Sequence, residues 1–257
     1  MPESVSAHAA APSLGESSRG GAAAHPGRVG VLFDVDDTLV DLRSAMRSAL
    51  LTAAASELVG VSAESREAFV EHFSRDEAGY YDRYVDGELS FARQRHLRLA
   101  AALSVLGREP SVGEDAFNEV FEAAVVAGWR AFDDVQAVLD GLDAAGVPYG
   151  AVTNNLEAYQ RRKLAGSGLS RVRVVIGSDT AGAPKPDARS YLAGVAALGT
   201  DVERTLMVGD NPVHDVAGAR AAGLPALLVD RFGRHPQEDS VTGLTPVLEW
   251  IKAEVGA

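Results

Sequence analysis

The stretch "FDVDDTLVD", residues 33–41, sets four carboxylates, those of Asp34, Asp36, Asp37 and Asp41, within eight positions, directly after the apolar run Val29, Val31, Leu32, Phe33. Three further groups of chemically capable side chains follow: Thr153-Asn154-Asn155, then Asp179 in a turn leading to Lys185, then Asp210 with Asp215. Each alone reads as an ordinary turn or helix cap. Their recurrence at the ends of successive apolar runs points instead to one polar site. Two carboxylates ~4 Å apart repel by about 4 kcal/mol at an effective dielectric near 20, and Asp34, Asp36 and Asp210 would make three such pairs. Protons or cations must offset that repulsion, and oxygen ligands without His or Cys suit a hard divalent ion such as Mg²⁺. Lys185 offers a second positive charge, in a chain whose only lysines are Lys163, Lys185 and Lys252. A divalent ion, an ammonium, donors from Thr153 and Asn154 and a helix N-terminus together suit a tetrahedral dianion, for which phosphate is the obvious candidate. Neither a G-x-x-x-x-G-K loop nor a G-x-G-x-x-G after a strand occurs, so ATP or a dinucleotide is not the expected carrier of that phosphate.

The elements that must position these groups alternate in kind. "RVGVLFD" from Arg28, "VPYGAVT" (147–153), "VRVVIG" (172–177), "TLMVGD" (205–210) and "PALLVD" (225–230) are short apolar runs separated by helix-length segments, including 134–145, 187–198 and 213–222. Continuous rather than alternating apolar character suits strands buried on both faces, and strands alternating with helices imply an α/β fold with a doubly wound parallel sheet. Ligands of such sheets bind beyond the carboxyl ends of the strands, where the polar groups above fall. Residues 42–130 lack strand signal and carry helical periodicity, as in Ala45, Met46, Ala49, Leu50 and Ala53. Ser90 is an expected cap of a helix with Leu97, Ala101 and Leu103 inward, and Ser111 with Glu114 fits a capping box. The expected organisation is a tail over 1–27, a core formed by 28–41 and 131–257, and a helical insertion over 42–130.

At 257 residues and 46% hydrophobic content the chain can bury a substantial core. With 24 Lys+Arg against 36 Asp+Glu the formal charge is −12, which disfavours nucleic acid and anionic lipid as partners. There is no cysteine, which excludes disulfides and thiolate chemistry. No apolar run has the length of a membrane span, and the start lacks the form of a secretory signal, so a cytoplasmic location is the expectation. Residues 1–27 are rich in Ala, Gly, Ser and Pro, with too few bulky side chains to offset ordering entropy, and His8 and His25 there read as incidental.

The segments "DVDDT", "TNN", "KPD" and "GDNPVHD" resemble, in order and spacing, the four motifs of the haloacid dehalogenase-like hydrolase superfamily. The resemblance extends from about residue 28 to the end of the chain, and the insertion resembles that superfamily's type 1 cap. It implies a phosphatase in which Asp34 attacks phosphorus to give an aspartyl-phosphate, while Asp36 protonates the leaving alcohol and then activates water. It implies further that Asp34, the backbone carbonyl of Asp36 and Asp210 bind Mg²⁺, that Asp215 orients the site and pairs with Lys185, and that Thr153, Asn154 and Lys185 hold the phosphoryl group. Asp37 stands where the family often has Gly, and Asp tolerates the left-handed backbone required there. Asp37 and Asp41 read as turn or cap residues. An acid at Asp36 favours phosphate esters over carbon–halogen bonds, because only the former leave an alkoxide to protonate.

The implied substrate is a small phosphorylated metabolite, with a nucleotide or a sugar phosphate in view. The same motifs leave open a phosphomutase, and a phospho-receiver or interaction module from outside the enzymes. Within the insertion, "YYDRYVDGELSFARQRHLRL" (80–99) resembles a subgroup that includes pyrimidine nucleotidases and an N-acylneuraminate phosphatase. Tyr80, Tyr81 and Tyr84 are expected in the core; Arg93, Arg95 and Arg98 on a solvated helix face; and His72, His96, Trp129 and Trp250 in packing roles. Hinges of the cap are expected near Val40–Leu42 and Trp129–Asp133.

Overall fold

A computed structural model describes residues 27–256. Apart from Gly27, the expected tail, with His8 and His25, lies outside the described residues. Five strands, β1 (Gly30–Phe33), β2 (Tyr149–Val152), β3 (Val174–Ile176), β4 (Thr205–Gly209) and β5 (Ala226–Leu228), form one sheet in the order β3-β2-β1-β4-β5. Every neighbouring pair is parallel; Phe33 aligns with Ala151 on one side and Val208 on the other.

The apolar runs are continuous because the sheet is covered on both faces. Alternate side chains of β1 divide accordingly. Val31 and Phe33 pack with Leu139 and Leu142 of α6 (Val135–Ala145) and Val247 and Ile251 of α11 (Thr245–Gly256). Leu32 turns to the other layer, against Tyr191 and Val195 of α9 (Ala188–Leu198) and Ala219 of α10 (Gly218–Ala221). All three β1 side chains are 0% exposed, each contributing about 1.5–3 kcal/mol by burial. Two shorter connections complete this layer structure: α7 (Glu157–Gly166) after β2 and α8 (Ser178–Ala181) after β3.

Between β1 and β2 lie α1 (Leu42–Ala53), α2 (Ala63–Arg75), α3 (Tyr80–Val85), α4 (Phe91–Ser104) and α5 (Glu114–Ala127). They bury a core of their own, with Leu50, Phe69, Phe73, Leu99, Leu103, Phe117 and Phe121 among its members. The chain enters and leaves through two strands of backbone that run side by side: Asp41 N donates to Arg130 O at 3.0 Å and Phe132 N to Leu39 O at 3.1 Å. Asp41 caps α1 through Ser44 N (2.9 Å), and Ser90 caps α4 through Arg93 N (3.0 Å), as their sequence positions suggest. Among the described residues no helix is long and apolar enough to cross a membrane.

Several expectations for this helical block are corrected. Ser111 does not cap α5, whose N-cap is Gly113; its backbone and hydroxyl bond Glu57 Oε1 at 2.8 and 2.5 Å, tying two loops together. Helix α4 is rotated from the expected face: Leu103 is buried, but Leu97 and Ala101 are only half-buried, and Arg95 and Arg98 turn inward instead of into solvent. The reason is that each guanidinium finds partners there while its stem covers apolar surface. Arg95 donates to Asn118 (2.9 Å) and Glu122 (2.7 Å), and Arg98 donates twice to Phe73 O and lies over the Phe73 ring. Arg93 is exposed, as expected. Tyr80 and Tyr84 are half-buried and Tyr81 is 48% exposed, so none is core; Tyr81 and Tyr84 form a surface cluster with Phe91.

Candidate active site

At the end of β1, Asp34 continues the ladder by donating N–H to Val208 O (2.8 Å), which aims its side chain beyond the carboxyl edge of the sheet. The chain then turns sharply, with Asp37 at φ 58°, in the left-handed region its short polar side chain tolerates. Asp37 Oδ1 accepts the N–H of Arg43 (2.9 Å), as a turn residue does.

From the end of β4, Asp210 and Asp215 reach the same place by different means. Asp215 lies in a π-helical turn, Pro212–Ala217, capped by Asn211, whose side chain accepts N–H groups of Val213 and His214. Such wide turns are rare and concentrate at functional positions. Asp215 packs directly on Gly209, where a Cβ would fall 2.2 Å from its carboxyl carbon, so no larger residue fits.

Lys185 joins the two sides. Its Nζ donates to Asp34 Oδ1 and to Asp215 Oδ1, both at 2.6 Å, and it is 3% exposed. Asp215 Oδ2 in turn accepts the N–H of Asn211 at 2.9 Å. The side chain of Asn154, a residue expected among the phosphate donors, clasps Lys185: its Oδ1 accepts Lys185 N–H (2.6 Å) and its Nδ2 donates to Lys185 O (2.9 Å). Thr153, 3% exposed, accepts from Asn155 N and Gln160 Nε2.

The electrostatics follow from burial. Desolvation pushes the Asp34 carboxyl well above the usual range; the Lys185 ammonium opposes this, and the charges of Asp215, Asp210 and Asp36 add to it. Asp210 is raised for the same reasons, burial and then Asp215. Burial lifts Asp37 to about 6. Burial also works against the charge on Lys185, but Asp215 and Asp34 outweigh it and hold the ammonium above its ordinary value.

Oxygen atoms of Asp34, Asp210 and Asp215 lie within 4.8 Å of one another. An all-carboxylate set, in which burial raises the proton affinity of Asp34 and Asp210, fits a hard divalent cation, which would take the place of those protons. The composition of this triad corrects the expectation that Asp34, Asp36 and Asp210 form the carboxylate cluster. The Asp36 side chain is directed to α7, where Lys163 Nζ donates to its Oδ1 and Gln160 Nε2 to its Oδ2 (3.0 Å). The backbone carbonyl implied by the family resemblance is a separate matter from where that side chain points. Asp179 also stands apart from the site, accepting Glu157 N–H (3.0 Å) at the start of α7.

Three residues at the site escaped the sequence reading. Gln160 and Lys163 lie in the interior of α7, and Arg234, after β5, donates to Asp210 Oδ2. The rarity of lysine was a signal for Lys163 as much as for Lys185. Arg234 had none, since it is one of many arginines in the chain.

With the geometry established, likeness to known proteins becomes informative. Residues 29–223 match the model of the haloacid dehalogenase-like hydrolases. A Caulobacter vibrioides protein named phosphoglycolate phosphatase is 42% identical over 118 residues, 46% of this chain and 49% of that protein, so this match spans about half the relative's length. A Rhodospirillum rubrum protein of the same name is 32% identical over 209 residues, 80% of this chain and 81% of that protein. Among solved structures, the HAD-hydrolase YfnB from Bacillus subtilis, described as bound to magnesium, superposes with a TM-score of 0.65 at 20% identity, covering 86% of this chain and 98% of that one, which speaks to fold alone. The parallel sheet, the four motif segments meeting at its carboxyl edge and the family match over most of the chain agree, and the chain belongs to the haloacid dehalogenase-like hydrolase family.

Proposed function

We propose that this protein is a Mg²⁺-dependent phosphatase that hydrolyses a small phosphomonoester through an aspartyl-phosphate on Asp34. The observation that carries the reading is the placement of Lys185 Nζ 2.6 Å from both Asp34 and Asp215, with Asp210 completing a carboxylate triad. Such a site holds a nucleophile and a fixed cation where the charge of a phosphoryl group develops. A bound Mg²⁺, held by Asp34 and Asp210 with Asp215 supporting, would supply Lewis-acid stabilisation of phosphoryl oxygens.

In this reading Asp34 attacks phosphorus in line, and the bond to the ester oxygen breaks as that oxygen takes a proton from Asp36. Water then attacks the same phosphorus, losing its proton to Asp36, and phosphate leaves with Asp34 regenerated. Thr153 and Lys185 hold phosphoryl oxygens, and Asn154 fixes Lys185 by its backbone clasp. Residues 42–130 serve as a cap that opens about the paired backbone of 39–41 and 130–132 and excludes water when closed.

Phosphoglycolate heads the substrate panel, because relatives carry that name, followed by nucleotide and sugar phosphates. The test is phosphate release from this panel with and without Mg²⁺. The expected result is Mg²⁺-dependent release from at least one ester. Isomerisation of a sugar phosphate without free phosphate would replace the phosphatase reading by a mutase.

A further inference from the structure

Helix α7 turns Gln160 and Lys163 toward the candidate site, with Tyr159 beside them, and none of the three belongs to the four motif segments. Lys163 is 1% exposed and Gln160 is 0% exposed. Between them they hold both carboxylate oxygens of Asp36: Lys163 Nζ on Oδ1, and Gln160 Nε2 on Oδ2 at 3.0 Å. Gln160 Nε2 also donates to Thr153 Oγ1 at 3.0 Å. The reverse orientation of this amide would set its oxygen against a carboxylate, so the arrangement of neighbours fixes which end faces Asp36. In consequence Gln160 Oε1 is buried without a partner among the described residues. The third contact is Tyr159, whose ring lies 5.2 Å from Lys163 Nζ and whose hydroxyl donates to Glu122 of α5 (2.9 Å).

Stability alone does not account for this arrangement. An ion pair whose ammonium is buried is often no more stable than an apolar pair of the same volume, and an orphaned amide oxygen destabilises the fold. We propose that Gln160 and Lys163 are positioning residues: they fix the carboxylate of Asp36 relative to Thr153 and the phosphoryl site, so that proton exchange with the ester oxygen starts from an ordered side chain. The proposal rests on the phosphatase reading above. It assigns to α7, beyond its cap and core contacts, control of the acid–base group.

The test compares Lys163→Met and Gln160→Met with the wild-type Mg²⁺-loaded enzyme on two esters: p-nitrophenyl phosphate, whose leaving group needs little protonation, and the best alkyl ester of the panel. Misplacement of the acid should lower kcat on the alkyl ester by roughly a hundredfold in Lys163→Met and roughly tenfold in Gln160→Met, with the aryl ester losing several-fold less and KM changing by less than about threefold. In an Asp36→Asn background, Lys163→Met should remove no further aryl ester activity, because its effect runs through Asp36. Equal losses on the two esters, no loss, or multiplicative effects with Asp36→Asn would overturn the proposal. The Asp36 side chain is 29% exposed, so water can replace Lys163 as its partner; should Lys163→Met nonetheless not fold by circular dichroism, Gln160→Met decides by the same comparison. A wild-type enzyme inert toward every ester would instead overturn the phosphatase reading, and the proposal with it.

Discussion

Asp34 is held in a state that a stable fold alone would not choose. Its carboxyl is raised by burial and by neighbouring carboxylates, and only Lys185 opposes them. The Asp34→Asn protein should therefore lose all measurable turnover. In the absence of metal, its melting temperature should equal or exceed that of the wild type, because a neutral amide removes repulsion with Asp210 and Asp215. Calorimetry of metal-free protein checks this; a marked destabilisation would show that the Lys185 contact outweighs the repulsion. Most of this site was legible in the sequence, because Asp34, Thr153, Lys185, Asp210 and Asp215 follow apolar runs that had to be strands. Which carboxylates approach was not legible: the turn at Asp37 sends Asp36 toward α7, and side-chain direction in a left-handed turn has no signature in residue order. Gln160 and Lys163 were hidden for a related reason, since a polar residue in a helix interior reads as solvated until the helix is docked.

Strands and most core helices follow closely from apolar runs and their spacing; α6 and α9 begin one residue later than expected and end where expected. The segment 213–222 differs, forming the π-helical turn Pro212–Ala217 and then α10. There Asp215 N and Val216 N both donate to Asn211 O, and this wide turn brings Asp215 over Gly209. Gly209→Ala is expected to push Asp215 off Lys185 and lower kcat/KM by at least about a hundredfold, comparable with loss of one preorganised electrostatic partner. A Gly209→Ala enzyme with near-normal activity would mean that the β4 edge can yield without moving Asp215. The rotation of α4 was not legible either, because Arg95 and Arg98 are buried by partners on α5 and α2 that lie far away in sequence.

At the scale of the whole molecule, a helical insertion with its own core stands on a sheet whose edge gathers buried negative charge. Asp34 and Asp210 have carboxyl pKa values above the usual one, so the metal-free folded chain retains protons that the unfolded chain releases. Its stability should fall as pH rises from the ordinary carboxylate range through the raised values, and a cation that replaces those protons should restore it. Added Mg²⁺ should thus raise the melting temperature more at about pH 8 than at about pH 5, with a gain near 2.7 kcal/mol at a hundredfold excess over Kd, or roughly 5–10 °C. A gain independent of pH would mean that the triad is not where the ion binds. The insertion was legible as helical from its periodicity, whereas its entry and exit pairing, Asp41 with Arg130, depends on residues far apart in sequence. The central claim, that Asp34 carries the phosphoryl group, is tested most directly by quenching the wild-type enzyme in acid during turnover and digesting it. The account predicts covalent phosphate on the peptide containing Asp34, and none from Asp34→Asn; steady turnover with that peptide unmodified, or turnover by Asp34→Asn, would contradict it.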